Sequence, residues 1–512
     1  MSEFMAVAAE PISLAPQAPW RSAAGFAAAV NCLVWSFGAA LFVTSLHPDT
    51  LQIVFWGRNP QLGYPKHPPL ASWILNALVH PHAAPLLTVL LIGAACVAFT
   101  AAFIWGAARL FAPPAVAAVA TSFYLLSPTA GVFAIQVNHN SLLIPFWAGA
   151  LYFALRYFER RKTVDALLLG LFAGLGAITK YELLFLLVAL AALCVAIPQY
   201  RPALRRGASW LSALVFLTIC APHLYWLSSH ASQSLDYALT SRPMQGASDV
   251  LASLNNLFVG ELVLALGPAL GYLLLLATGL RPRIDRSRLR LSAIIALGPS
   301  LALVLASLAF DQTIRQGWTI PFIPGTVLGA ALCLKVERAS APRRWLTAMS
   351  AQSFLQLALF FVFLALRARF GHPVGAYDLD SRGMAKQTQA FWAARNAGPL
   401  KCLIIDKSFL SSAPILWLPD RPKVVQLDKQ AWSGPRRLAA CLAHGAVLIA
   451  QAPGKPPSQL PLCSGEQALR AISPLSGGVS GFDLVLAYAP PRGDLSECGA
   501  PKKPFRIDTP PG

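Results

Sequence analysis

Asp49 sits in the densest polar stretch of the chain. That stretch begins His47-Pro48-Asp49-Thr50-Leu51-Gln52-Ile53-Val54-Phe55-Trp56-Gly57-Arg58 and continues Gly63-Tyr64-Pro65-Lys66-His67-Pro68-Pro69-Leu70. A carboxylate, imidazoles and cations this close together can take a proton and hold an anion. Carboxylates are otherwise scarce. Over residues 1–370 they are Glu3, Glu10, Asp49, Glu159, Asp165, Glu182, Asp236, Asp249, Glu261, Asp285, Asp311 and Glu337. A general base in this part of the chain is one of these or a histidine.

The elements that must carry these groups are apolar helices. Hydrophobic residues make up 56% of the 512 and charged residues only 12%. Mean hydropathy is +0.55. Ordinary soluble domains hold about 25% charged residues, so this composition excludes a cytosolic enzyme, a disordered chain and a disulfide mini-protein. Eleven apolar runs are long enough to be candidate membrane helices: 23–46, 84–110, 115–130, 133–156, 164–179, 181–198, 208–227, 255–280, 291–310, 318–335 and 346–367. The stretch 164–198 reads either as two helices divided at Lys180 or as one long broken helix.

The net charge of +19 invites comparison with nucleic-acid binders, but the basic residues fall in short clusters between apolar runs. One set of loops carries Arg156, Arg160, Arg161 and Lys162; Arg201, Arg205 and Arg206; Arg281, Arg283, Arg286, Arg288 and Arg290; and Lys335, Arg338, Arg343 and Arg344. The alternate set holds single cations: Arg58, Lys66, Lys180, Arg242 and Arg315. Basic loops stay cytoplasmic. The pattern therefore predicts residues 1–22 inside, a membrane domain over 23–370, a first outer loop at 47–83 and the segment 371–512 outside. The run 23–46 reads as a signal anchor, being too long for a cleaved signal.

On that topology the outer acids are Asp49, Glu182, Asp236, Asp249, Glu261 and Asp311. His47, His67, His80, His82, His139, His223, His230 and His372 also fall at outer ends, and His444 lies in the tail. Such a distribution suits a polar outer cavity, although interfacial helix ends also tolerate histidine. His47, Asp49, His67 and His139 are candidate metal ligands, but no zinc-like spacing supports them. Leu51, Val54, Phe55 and Trp56 predict a short amphipathic helix lying on the membrane. The segment 228–254 reads as a long loop, a lid over the site or a plain connector.

The tail changes character. Segments 401–406, 422–427, 446–450 and 482–489 read as strands, 381–397 and 434–444 as helices, and the stretch from about 490 as loose. The alternation predicts a small periplasmic α/β domain. Its cysteines, Cys402, Cys441, Cys463 and Cys498, allow two disulfides in an oxidising compartment, with connectivity open.

The first outer loop also carries a resemblance. Asp-x-x-Gln-x-x-x-Trp-Gly-Arg from Asp49, followed by Gly-Tyr-x-Lys-His-Pro-Pro-Leu-x-x-Trp from Gly63, is similar to the corresponding loop of bacterial glycosyltransferases. These are the protein O-mannosyltransferase and aminoarabinose-transferase types of the GT-C superfamily. The span count, the pair Lys180-Tyr181 after a Gly-rich helix and the outer tail extend the likeness. The resemblance implies an inner-membrane enzyme that moves a sugar from a polyprenyl-phosphate donor to a lipid or glycan acceptor at the periplasmic face. It implies Asp49 as the base, in a single displacement that inverts the anomeric carbon. Lys180, Lys66, Arg58, Arg315, Tyr64, His67 and Tyr181 would bind substrate or lipid phosphate, and Gln52, Asn138, His139 and Glu182 would assist. Where relatives carry a second acid in the first loop this chain has Gln52, and its second outer loop reads Asn138-His139-Asn140. No cofactor is required by the resemblance, and dependence on a divalent metal stays open. The partners implied are the donor, the acceptor and membrane lipids, with no nucleic acid. Glu182 has a second reading as the ion-pair partner of Lys180. Two other functions compete: a lipid-linked sugar flippase and a non-catalytic envelope assembly factor.

Overall fold

The computed structural model describes residues 18–81, 83–240, 244, 246–277, 279, 282–336, 342–369, 377, 379–406, 409–426, 435–452, 467–469 and 483–491. His82, Arg242, Glu337, His372, Cys463, Cys498 and the stretch beyond 491 lie outside the described residues.

Each apolar run has a helical counterpart. They are α1 (Ala18–Leu33), then, after the two outer-loop helices α2 (Pro48–Gly57) and α3 (Leu70–Leu78), α4 (Pro85–Phe111), α5 (Pro114–Leu125), α6 (His139–Arg160), α7 (Thr163–Ala177), α8 (Leu183–Ala196), α9 (Gly207–Thr240), α10 (Ala247–Ala277), α11 (Leu289–Ala309), α12 (Ile323–Leu332) and α13 (Pro342–Arg369). Among the described residues six helices are long and apolar enough to cross a membrane, in α4, α6, α9, α10, α11 and α13. A seventh span results if α8 and the bent segment after it are counted together. α6 lies at the centre with most of its surface covered, whereas α9 and α13 bury little. The apolar side chains those outer helices expose, such as Trp210, Leu214, Phe354 and Phe363, suit contact with lipid.

α6 gives the bundle its polarity. His139 begins it and Arg160 ends it, and at about 1.5 Å per residue the two ends stand roughly 30 Å apart. The basic loops gather at the Arg160 end. Arg156 pairs with the buried Asp165 at 2.9 Å. The Tyr200 hydroxyl donates to Glu159 Oε1 at 2.7 Å. Asp285 lies near Arg288 and Lys335 at 3.5 and 3.9 Å. The first outer loop and the tail gather at the other end.

The described residues of the tail form mixed α/β structure. Strands β1 (Cys402–Ile405), β2 (Lys423–Gln426), β3 (Ala446–Ala452), β4 (Gln467–Leu469) and β5 (Asp483–Ala489) form one sheet in the order β2-β1-β3-β5-β4. β1 is parallel to β2 and β3, while β5 runs antiparallel to β3 and β4. Helices α14 (Ser381–Ala393), α15 (Phe409–Ser412) and α16 (Pro435–Leu442) accompany the strands. Cys402 and Cys441 form a disulfide with Cα atoms 5.4 Å apart, joining β1 to α16 across 39 residues. Replacing both by serine is expected to lower the stability of this unit by about 4 kcal/mol, from the closed-loop entropy. Chemical denaturation followed by tryptophan fluorescence checks this, and an unchanged midpoint would refute it.

Three expectations need correction. First, the run 23–46 is not one helix to its end: α1 passes into a π-helical turn at Val34–Gly38, and the chain then irregularly approaches Pro48. Thr44 explains the exit, because its backbone N–H donates to the Tyr377 carbonyl at 2.8 Å and its hydroxyl to the Leu379 carbonyl at 2.9 Å. Second, α2 does not lie on a membrane surface. Leu51, Ile53, Val54, Phe55 and Trp56 are all buried, in one core with Leu379, Met384, Ile415, Leu416 and Val447 of the tail. The tail covers the apolar face that the sequence leaves open. Third, 228–254 is mostly helix rather than loop, since α9 runs to Thr240 and α10 starts at Ala247. Its Ser, Ala, Leu and Gln residues tolerate helix, and the break in direction is a kink at His230, where φ is −129°.

Candidate active site

At the His139 end of α6, α2 and α3 cross closely. A Cβ on Gly57 would lie 2.8 Å from the Ser72 carbonyl oxygen, so glycine is needed there. Trp56 and Tyr64 stack with ring centres 5.1 Å apart, and the buried Tyr64 hydroxyl donates to the Trp56 carbonyl at 3.0 Å. Tyr64 is fully buried and braces the loop. The Tyr64 N–H donates to the His67 carbonyl at 3.1 Å, which fixes the turn that presents Lys66 and His67.

His67 packs on His139 with ring centres 3.9 Å apart, and Trp56 borders both rings. Burial, then His139, Lys180, Lys66 and Arg315, push the His67 imidazole well below its ordinary value of 6.5. Lys180, Lys66 and Arg315 thus all act electrostatically on this histidine. Because the folded state holds His67 neutral, the unfolded chain binds more protons below pH 6.5, and stability falls as pH drops through that value. His67→Gln is expected to flatten the decline in melting temperature between about pH 7 and 5. An unaltered acid limb would contradict this origin.

Lys180 lies in the break between α7 and α8 and is buried. Its ammonium is 2.5 Å from Glu182 Oε1 and donates to Asn140 Oδ1 at 2.7 Å. Asn140 Nδ2 donates in turn to the Gly317 carbonyl at 3.4 Å. Gly317 holds a left-handed φ of +88°, which glycine adopts without strain, so the Arg315-Gln316-Gly317-Trp318 turn folds back towards Lys180. The Tyr181 hydroxyl meets His223 Nε2 at 2.7 Å, while His223 Nδ1 lies 2.8 Å from the Leu62 carbonyl. That carbonyl can only accept, so Nδ1 carries the proton and Nε2 accepts from Tyr181. His223 thereby ties α9 to the first outer loop and to Tyr181. Asn138 is engaged in capping α6, its Oδ1 accepting from the N–H groups of Asn140 and Ser141. His139 Nε2 is buried with no hydrogen-bond partner, a polar atom left open inside the site.

Asp49 stands near the N-terminus of α2, with its side chain 58% exposed and 3.6 Å from His47 Nδ1. Burial pushes the His47 imidazole down against the opposing pull of Asp49. His47 and Tyr377 line a cavity of about 620 Å³ together with Trp35, Gln136, Gln356, Leu266, Leu270, Leu359 and Phe360. It is largely apolar with a polar rim, as a lipid site requires. Gln136 on its wall and His139 in the histidine pair are three residues apart, so at most about 11 Å of chain separates the two features. Gln52 is partly exposed on α2. Arg58, at the C-terminal cap of α2, is buried.

The four candidate metal ligands separate into two pairs, His47 with Asp49 and His67 with His139. Among the described residues no three His, Cys, Asp or Glu gather around one point. Sequence reasoning passed over Gln136, Tyr377 and Arg421, and gave Asn140 and His223 no individual role. Asn140 had a signal, standing next to His139 in a polar triplet; the others are brought in by contacts between distant segments.

A bundle with its polar site at one end, capped by a small α/β unit, defines a membrane protein of the GT-C fold. The apo crystal structure of ArnT from Cupriavidus metallidurans aligns with a TM-score of 0.56 at 14% identity, covering 93% of this chain and 98% of that one. The same protein bound to undecaprenyl phosphate aligns with a TM-score of 0.54. Residues 66–226 match the dolichyl-phosphate-mannose-protein mannosyltransferase family. Similar curated proteins come from Rhizobium johnstonii. The lipid A galacturonosyltransferase RgtD is 28% identical over 36% of this chain and 39% of its own length. The lipopolysaccharide core galacturonosyltransferase RgtA is 24% identical over 79% of this chain and 81% of its own. The match to a second core enzyme, RgtB, spans 61% of that protein. The aligned solved structures give this chain the fold of ArnT, and the matched family covers less than a third of it.

Proposed function

We propose that this protein transfers a sugar from a polyprenyl-phosphate donor to a lipopolysaccharide or lipid A acceptor at the outer face of the bacterial inner membrane. The observation that carries the reading is the buried His67–His139 pair with the buried Lys180 ammonium, held by Asn140 and Glu182, close by. Such a cluster neutralises a phosphate whose charge grows as the glycosidic bond breaks. The 620 Å³ cavity beside His47 and Tyr377 supplies an apolar berth for a hydrocarbon chain of the lipid substrates.

In this reading Asp49 removes the proton from the acceptor hydroxyl. The oxygen attacks the anomeric carbon, the bond from that carbon to the phosphate oxygen breaks, and polyprenyl phosphate departs with the electron pair. A single displacement inverts the anomeric centre. Lys180 holds the leaving phosphate, positioned by Asn140 and Glu182, and Lys66 and Arg315 complete the positive field. Eleven spans, the four Arg/Lys-rich loops on the cytoplasmic side and the C-terminal unit in the periplasm fit this arrangement. The disulfide between Cys402 and Cys441 supports an oxidising compartment for that unit.

The donor sugar we favour is a uronic acid. The similar Rhizobium proteins are galacturonosyltransferases, and a cation such as Lys180 suits a carboxylate on the sugar. The test is a donor panel. Purified protein with a lipopolysaccharide acceptor should transfer from polyprenyl-phosphate uronic acids and much more slowly from the neutral hexose analogues. Equal use of neutral and acidic sugars would remove the uronic assignment. A folded protein inert to the whole panel with acceptor present would favour the assembly-factor reading.

A further inference from the structure

Among the described residues Arg58 is a cation whose Nε, Nη1 and Nη2 are all buried without a hydrogen-bond partner. The residue is only 9% exposed. Its charged neighbour is another cation, Arg421. A buried guanidinium with no partner, beside a like charge, is unfavourable unless something absent from the free protein completes it.

The surroundings are built rather than loose. Asn59, next to Arg58, donates from Nδ2 to the Val424 carbonyl of β2 at 2.9 Å. Arg421 donates from Nη2 to the Asn76 carbonyl and to Asn76 Oδ1, both at 2.9 Å, and its Nη1 lies 2.9 Å from His80 Nδ1. The first outer loop and the C-terminal unit are thus clamped beside Arg58, because Asn76, which Arg421 holds, packs against Gly57. The acid adjacent in sequence, Asp420, is engaged elsewhere: its Oδ2 accepts from the Leu400 N–H at 2.8 Å and from Gln389 Nε2 at 3.1 Å.

We propose that Arg58 and Arg421 form a phosphate subsite, at the seam between the first outer loop and the C-terminal unit, that holds a phosphate monoester on the acceptor. Two adjacent guanidinium groups match a group carrying close to two negative charges, as a phosphate monoester does at neutral pH, and guanidinium forks suit its oxygens. Arg58 follows Asp49 by nine residues along α2 and its cap, so the subsite lies about 13 Å from the base. That is the reach of a short saccharide between an anchoring phosphate and an accepting hydroxyl. The assignment to the acceptor rests on the reading of Asp49 given above; phosphate binding as such does not.

Thermal unfolding of the full-length protein in detergent, with inorganic phosphate as the probe, tests the site. Wild type should be stabilised by phosphate in a saturable manner, while Arg58→Met should bind it about tenfold more weakly or worse. Without phosphate, Arg58→Met should melt at or above the wild-type temperature, because an unpaired buried charge has been removed. Arg421→Gln provides a second variant with the same loss of phosphate response. A wild type that phosphate does not stabilise, or an Arg58→Met protein that keeps the response, would overturn the site. The source is then separated by kinetics. Wild type should show a KM about tenfold lower for a phosphorylated acceptor than for the same acceptor after phosphatase treatment, and Arg58→Met should show no difference. Equal KM values in wild type would overturn the acceptor assignment and leave a site for free phosphate. No turnover with either acceptor, alongside intact phosphate stabilisation, would instead count against the transferase reading.

Discussion

Asp49→Asn is expected to lower turnover by about 10²- to 10⁴-fold, the usual contribution of a positioned general base. The substitution keeps the shape of the side chain and removes its capacity to take a proton. The fold has little stake in that carboxylate, which is 58% exposed and lies at 3.6 Å from one histidine. The core beneath it is made by Leu51, Ile53 and Phe55 on the buried side of the same helix. The melting temperature should therefore stay within the range of a surface substitution, and donor binding should persist. Steady-state kinetics with saturating donor and acceptor checks this. Turnover within a few-fold of wild type would move the base to another group, and the nearest alternative is His47.

Lys180→Gln is expected to lower kcat/KM for the donor by about 10²- to 10³-fold, by analogy with the removal of one charge-stabilising donor at an active centre. The competing account makes Lys180 and Glu182 a structural ion pair, since they meet at 2.5 Å and both are largely buried. The two accounts differ in symmetry. A purely structural pair predicts similar losses in Lys180→Gln and Glu182→Gln, both visible as lowered stability. A phosphate ligand held by its neighbours predicts a much larger kinetic loss for Lys180→Gln. In Glu182→Gln the ammonium keeps its 2.7 Å bond to Asn140 and stays available to the donor. Equal losses in both variants would support the structural pair.

The sequence was most informative where chemistry and periodicity coincide. Apolar runs of helical length located every long helix, and the division at Lys180 falls where α7 ends and α8 begins. Four of the five described strands of the tail were readable because short β-branched runs alternate with turn residues, whereas Gln467–Leu469 was missed. What escaped depends on contact between segments far apart in the chain. Nothing local announces that α2 will be covered by Leu379, Met384 and Leu416, so its apolar face read as a membrane surface. Four cysteines allow three pairings, and only the approach of β1 to α16 selects Cys402 with Cys441. The stretch after His230 read as loop because its residues are small and polar, yet none of those at 231–240 breaks a helix.

The candidate site divides in the same way. Asp49, Lys66, His67, Lys180 and Arg315 were visible as isolated cations, acids and imidazoles in an otherwise apolar chain. Their grouping was not. The 40 residues between Asn140 and Lys180, and the 42 between Tyr181 and His223, are bridged only by the packing of α6, α7 and α9. Two residues of the motif, Tyr64 and Asn138, turn out to be engaged in holding the loop and capping a helix. Arg421 carried no signal at all, being one arginine in a tail rich in them.

The most direct test of the account follows both products in one reaction. Full-length protein in detergent is given a polyprenyl-phosphate uronic acid and a lipopolysaccharide acceptor. Free polyprenyl phosphate and glycosylated acceptor are then quantified together by mass spectrometry. The account predicts that the two appear in equal amounts and only when donor and acceptor are both present. Acceptor glycosylation without release of polyprenyl phosphate, or neither product from a folded protein, would contradict it.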